Sequence, residues 1–158
     1  SFCYRNRLNS VTAVDVSEFA VECARENAAR NGLSQVVDCV AANVFDLLPQ
    51  LQKGQYDFII LDPPAFTKSR QTTQRAMAGY KEINYRAMRL LPRGGYLATC
   101  SCSHFATEEL FRKMLHAAAH DAGVQLRQIE ARQQSADHPI LWGVEETSYL
   151  KFYLFQVV

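Results

Sequence analysis

The segment that most narrows what this chain can become is Tyr56–Leu61, together with the Asp62-Pro63-Pro64 that ends it. Phe58, Ile59, Ile60 and Leu61 are apolar at consecutive positions, without the alternation of a strand that faces water on one side. Such a run predicts a strand buried on both faces, the condition of strands in a parallel sheet covered by helices. Proline cannot donate to the ladder, so the pair at 63 and 64 closes the strand with a stiff loop.

The remainder alternates strand and helix in the same style. Val11–Asp15 predicts a short strand. Ser17 caps a helix from about Glu18 to Arg30, and Asn31-Gly32 ends it with a residue suited to the left-handed conformation. Strand Val36–Val40, helix Val44–Leu51 and strand Tyr56–Leu61 follow, and then a helix that ends near Leu91. Pro92-Arg93-Gly94-Gly95 turns into strand Tyr96–Ser101. Thr107 starts a helix to about Ala122, with Glu108 and Glu109 at the favourable end of its dipole. Val124–Ala131 and Tyr149–Val158 complete the pattern as two strands, read as an antiparallel hairpin at the sheet edge. The expectation is one α/β domain over residues 1–158, a Rossmann-like, mostly parallel sheet with helices on both faces.

Composition sets further bounds. With 48% hydrophobic and 21% charged residues the chain reads as globular, and no apolar run approaches the length of a membrane span. The N-terminus lacks a signal-peptide layout, which points to the cytoplasm. Five cysteines, at 3, 23, 39, 100 and 102, form no disulfide framework, and their spacing supports no zinc or other metal site. A net charge of +1 is far from the basic balance of a free-standing RNA binder, so a nucleic-acid substrate would need a local patch or another domain.

Four places carry chemistry. Asp15, with Val16 after it, stands at a strand end before a helix, where an acid can accept hydrogen bonds from ribose hydroxyls or simply begin the turn. Asn43 can read an adenine edge while Val44 or Phe45 packs on the ring, or it can cap the next helix. Asp62 can bond the polar edge of a planar base held by the ring faces of Pro63 and Pro64, with Phe66 as a stacking wall. The plainer reading is a proline-stiffened turn with a capping Asp. Cys102, at the end of strand Tyr96–Ser101, is placed to act as a nucleophile, whereas Cys100 reads as a small core residue. A protonated His104 could favour the thiolate.

Taken together, these motifs resemble one family. They are Val14-Asp15, Asn43-Val44-Phe45, Leu61-Asp62-Pro63-Pro64-Ala65-Phe66, Gly79-Tyr80-Lys81-Glu82-Ile83-Asn84, Ser101-Cys102-Ser103, Ala136-Asp137-His138-Pro139 and Tyr149-Leu150-Lys151. The family is the bacterial large-subunit ribosomal RNA cytosine-5 methyltransferases, class I enzymes whose full chains begin with a small RNA-binding PUA domain. The resemblance implies S-adenosylmethionine as cofactor, ribosomal RNA as partner and, from related enzymes, a homodimer. It implies cofactor contacts from Asp15, Val16, Asn43, Val44, Asp62 and Pro63, substrate contacts from Pro64 and Phe66, and catalysis by Cys102 with Asp62. Asn43 departs from the acid more usual at its position.

A second departure is larger. The family's first strand runs into a glycine-rich loop and a helix, and Phe2-Cys3-Tyr4 resembles the start of that motif. Only residues 5–10 then precede Val11, too few for the loop and a crossover helix. The expectation is either a deleted variant or, the preferred reading, loop residues between Tyr4 and Val11 left out of this sequence; the RNA-binding domain is expected to be absent from it. Two other functions fit the same residues. One is N-methylation of a base or protein through the Asp-Pro-Pro-Ala-Phe loop; the other is a non-catalytic module for RNA docking or dimerisation.

Overall fold

The computed structural model describes residues 8–66 and 70–158. The chain divides into two compact units, Ser1–Gln50 and Leu51–Val158. The Phe2-Cys3-Tyr4 motif lies outside the described residues.

The first unit runs β1 (Val11–Asp15), α1 (Glu18–Arg30), β2 (Val37–Ala41) and α2 (Val44–Leu47). β1 and β2 are parallel, with Val11 opposite Val37 and Asp15 opposite Ala41, and α1 packs against both strands. The caps of α1 follow the sequence: the Ser17 hydroxyl accepts from the Ala20 amide at 3.3 Å, and Gly32 takes φ +67° just beyond the helix. α2 is shorter than expected. It gives way to a 3-10 turn at Leu48–Gln50, where Pro49 removes the amide that would have continued the α-helical ladder.

The second unit contains β3 (Phe58–Leu61), α3 (Thr73–Leu90), β4 (Tyr96–Ser101), α4 (Glu108–Ala122), β5 (Leu126–Arg132) and β6 (Lys151–Val157). Its sheet has the order β3-β4-β6-β5. β3 and β4 are parallel, whereas β6 runs antiparallel to both neighbours. The closing pair is therefore antiparallel, with β5 at the edge. It is not a hairpin, because residues 133–150 form a connection far longer than a tight turn and β6 inserts between β4 and β5.

α3 and α4 pack on each other and are tied by a Lys81–Asp121 ion pair of 2.6 Å. The buried stripe of α3 is Ala76, Tyr80, Ile83, Asn84, Ala87 and Met88, with helical spacing. Tyr80 meets Phe111 of α4 edge-on at 5.7 Å. Phe111 stacks near Tyr153 of β6, and Tyr153 near Phe155. This aromatic series fastens both helices to one face of the sheet. Each such pair contributes roughly 0.5–1.5 kcal/mol beyond its buried area.

The double-sided burial expected of β3 is not seen. Leu61 is buried, but Phe58 and Ile60 remain 37% and 51% exposed. β3 is the outermost strand of its sheet, and Phe58 and Ile60 alternate away from the face that Leu61 shares with the buried core.

Candidate active site

Parallel pairing sets the C-terminal ends of β3 and β4 side by side, with Leu61 opposite Thr99. The residues leaving those ends, Asp62 on one strand and Ser101-Cys102-Ser103 on the other, therefore share one edge of the sheet. Asp62 and Cys102 are both exposed there, and Pro63 and Phe66 are half-buried.

The two cysteines of this stretch differ sharply. Cys100 is buried. Burial first, then the charges of Asp62 and Cys102, push its thiol up to about 11. It remains a protonated thiol at neutral pH and is a poor nucleophile. Cys102 is a free, exposed cysteine two positions further on. Had β4 continued, the pair would have pointed the same way. The strand ends at Ser101, so Cys102 stands in the turn.

Tyr80 is the residue that joins the two sides of this edge. It is fully buried, and its phenol accepts a hydrogen bond from Ser101 Oγ at 3.1 Å. It also hydrogen-bonds with the backbone of Phe66. Burial raises its pKa, and those two bonds offset part of the rise. The Phe66 ring lies on the Tyr80 ring at 4.7 Å, so one end of the Asp-Pro-Pro loop and the end of β4 are attached to the same side chain. Ser101 Oγ in turn accepts weakly from the Ser103 amide at 3.4 Å. His104, weighed from sequence as a cation able to favour the thiolate, packs its ring against Phe105 at 3.8 Å. The buried cation of this region is instead Lys151, whose ammonium donates to the Ser103 carbonyl at 2.5 Å.

The first unit holds Asp15 and Asn43 at one end of its own sheet, since the Ala42 amide donates to the Asp15 carbonyl at 3.0 Å. Each makes a local bond. Asp15 Oδ1 accepts from the Ser17 amide at 2.8 Å, and Asn43 Oδ1 accepts from the Phe45 amide at 3.0 Å, capping α2. The capping role weighed for Asn43 is thus present. Val16 beside Asp15 is 77% exposed, Val44 is half-buried and Phe45 lies at the boundary of exposure.

Neither Tyr80 nor Lys151 was assigned a role from sequence. The signals were there: a Tyr and an Asn in an otherwise apolar helical stripe, and a Lys in phase with Tyr153, Phe155 and Val157 on a strand whose side chains alternate.

The arrangement matches known folds. SMU.776, solved in complex with SAH, superposes with a TM-score of 0.79 over 94% of this chain and 39% of its own, at 20% identity. The N-methyltransferase NodS from Bradyrhizobium japonicum WM9, also in complex with SAH, gives 0.63 over 97% and 69%, at 15% identity. The fold is that of the class I methyltransferases. Residues 2–125 match the Methyltransferase small domain family, and the chain belongs to it. Among curated relatives, Ribosomal RNA large subunit methyltransferase I of Klebsiella pneumoniae (strain 342) is 40% identical over 151 residues, 94% of this chain and 38% of that protein. The protein of the same name from Shewanella denitrificans is 43% identical over 145 residues, 90% of this chain and 36% of its own. The chain thus spans about two-fifths of the length of these relatives.

Proposed function

We propose that this chain is the catalytic part of an S-adenosylmethionine-dependent RNA methyltransferase that modifies carbon 5 of a cytosine in large-subunit ribosomal RNA. The observation that carries the reading is the contrast at the end of β4: an exposed Cys102 on the sheet edge that also bears Asp62, and a buried Cys100 held as a thiol. The relatives' name supplies the RNA class.

The cofactor contributes an electrophilic methyl group. The donor set of the first unit fits its nucleoside portion. A carboxylate with one oxygen on the Ser17 amide has further acceptor capacity for ribose hydroxyls. The Asn43 amide offers a donor to adenine even while its oxygen caps α2, and Val16, Val44 and Phe45 supply apolar surface. Asp62 and Pro63 are assigned to the methyl-transfer end, and Pro64 and Phe66 to the base.

Carbon 5 of cytosine is a weak nucleophile, and a thiolate remedies this. Cys102 sulfur would bond to carbon 6 and push the ring electrons toward carbon 5, which would take the methyl group as its bond to the donor's sulfur breaks and S-adenosylhomocysteine leaves. Loss of the carbon 5 proton to a base and expulsion of the Cys102 thiolate restore the aromatic ring. Asp62 holds the pyrimidine edge as charge develops on it. Amine methylation needs no thiol, so Cys102 favours carbon 5.

Mass mapping of methylated cytosine in ribosomal RNA incubated with the natural full-length protein tests this. Cys102→Ala is expected to lower the rate by at least about 10³-fold, the scale on which removal of a nucleophile acts. Retained methylation would favour N-methylation through the Asp62 loop. Failure to bind S-adenosylhomocysteine by calorimetry would favour the non-catalytic module.

A further inference from the structure

Lys151 opens β6 and is 7% exposed. Its ammonium donates to the Ser103 carbonyl at 2.5 Å and to the Tyr149 carbonyl at 2.7 Å. Among the described residues it forms no ion pair. Burying an ammonium costs several kcal/mol unless opposite charge answers it, and two carbonyls satisfy its hydrogen bonds without neutralising it. The position lies on the strand face occupied by Tyr153, Phe155 and Val157, where an apolar side chain would meet no such cost.

What surrounds Lys151 explains the charge. Across the sheet its register partner is Ser101, the residue before Cys102. Glu108 of α4 lines the same cavity as Lys151, its carboxylate engaged by the Tyr153 hydroxyl at 2.9 Å. A cavity of about 840 Å³ that Lys151 helps to line also presents His104, Arg132 and Glu145; Arg132 is paired with Glu130 of its own strand at 2.5 Å. Burial draws the Lys151 ammonium down to about 8, and its electrostatic interactions with Cys102 and then Glu108 offset part of that fall.

We infer that Lys151 is the positioning residue of the nucleophile: through the Ser103 carbonyl it fixes the turn that carries Cys102, and its buried ammonium supplies a positive charge to that turn. The inference rests on the reading of Cys102 as nucleophile. It extends that reading by assigning the cation to Lys151 rather than to His104. Because Ser103 is itself 3% exposed and its carbonyl also accepts from the Ala106 amide at 3.2 Å, the turn is closed on two sides and Lys151 has a rigid partner.

The test is the rate of Cys102 alkylation by iodoacetamide, read on the Cys102 peptide by mass spectrometry, so that no methylation assay is involved. At pH 7.5, Lys151→Met is expected to slow the reaction about tenfold or more, and Lys151→Arg to stay within about threefold of the natural chain, since the thiolate is the reactive form. Arginine keeps its charge above pH 8, so rates relative to the natural chain should rise in Lys151→Arg on the alkaline side. Unchanged alkylation in a folded Lys151→Met chain overturns the inference. Should Lys151→Met fail to fold, the natural chain decides. Its Cys102 rate divided by that of the urea-unfolded chain should fall as pH passes 8, and a ratio flat through pH 8 overturns the inference. Methylation surviving in Cys102→Ala would instead sink the nucleophile reading while leaving these alkylation results intact.

Discussion

The two compact units hold their polar residues by different means. In Ser1–Gln50 the candidate groups spend a bond locally: Asp15 on the amide two residues ahead, and Asn43 on the amide two residues ahead of it. Both are exposed. In Leu51–Val158 the groups around Cys102 are held across long stretches of chain, Tyr80 to Ser101 and Lys151 to Ser103, and all four of those residues are buried. A locally capped side chain keeps its geometry without the rest of the fold but gains little rigidity. A buried long-range bond is rigid and fails together with the packing around it. Under the proposed function, cofactor contacts built in the first manner would tolerate change, while a reacting sulfur would gain from the second.

The strongest way to break this contrast is to remove Tyr80. Tyr80→Ala leaves a cavity where α3, α4 and β4 meet and is expected to cost about 3–5 kcal/mol in chemical denaturation. Tyr80→Phe isolates the hydroxyl, at about 1–2 kcal/mol. It is also expected to reduce methylation more than it reduces S-adenosylhomocysteine affinity, because it loosens only the Asp62–Phe66 loop and the end of β4. Equal losses in both measurements would mean that the loosened Asp62–Phe66 loop carries as much of the cofactor contact as of the chemistry.

Stability against pH sharpens the contrast through two buried groups of opposite sign. Lys151 has a folded pKa of about 8, below the ordinary 10.5. Between those values the unfolded chain holds the extra proton, so stability rises with pH from about 8. Cys100 moves from 9.0 to about 11, so above pH 9 the folded chain holds the extra proton and stability falls. Denaturation midpoints are expected to climb from pH 8 to 9 and then bend over, each slope staying below about 1.4 kcal/mol per pH unit. Lys151→Met should remove the climb and Cys100→Ala the decline. A curve unaffected by either change would show both groups to be solvated.

The smallest effect belongs to the first unit. Asn43→Ala removes the cap of α2 at about 1 kcal/mol, and Asn43→Ser restores it. If S-adenosylhomocysteine affinity falls in both variants, Asn43 contacts the nucleoside through its amide; if serine restores affinity with stability, the residue is a cap alone.

Much of this was legible in the chain itself. β1, α1 and β4 have the bounds that pattern and capping residues indicate, because Ser17, Gly32 and Pro92-Arg93-Gly94-Gly95 act on neighbours a few residues away. The Asp62-Pro63-Pro64 stop is equally local, as are the roles open to Asp15 and Asn43. Three matters were not local. The exposure of Phe58 and Ile60 depends on which strand ends the sheet, and the place of β6 between β4 and β5 depends on a pairing chosen across residues 133–150. The third is the difference between Cys100 and Cys102. Two identical side chains two residues apart become a buried thiol and an exposed one because β4 ends at Ser101, beneath the packing of Tyr80 and the reach of Lys151. Sequence alone determined the strand-and-helix alternation and the residue types able to do chemistry at its strand ends, since propensity and capping act over a turn or two. Only the tertiary structure decided which of them are desolvated, which are charged and which are held, because desolvation and long-range hydrogen bonding are properties of the packed chain.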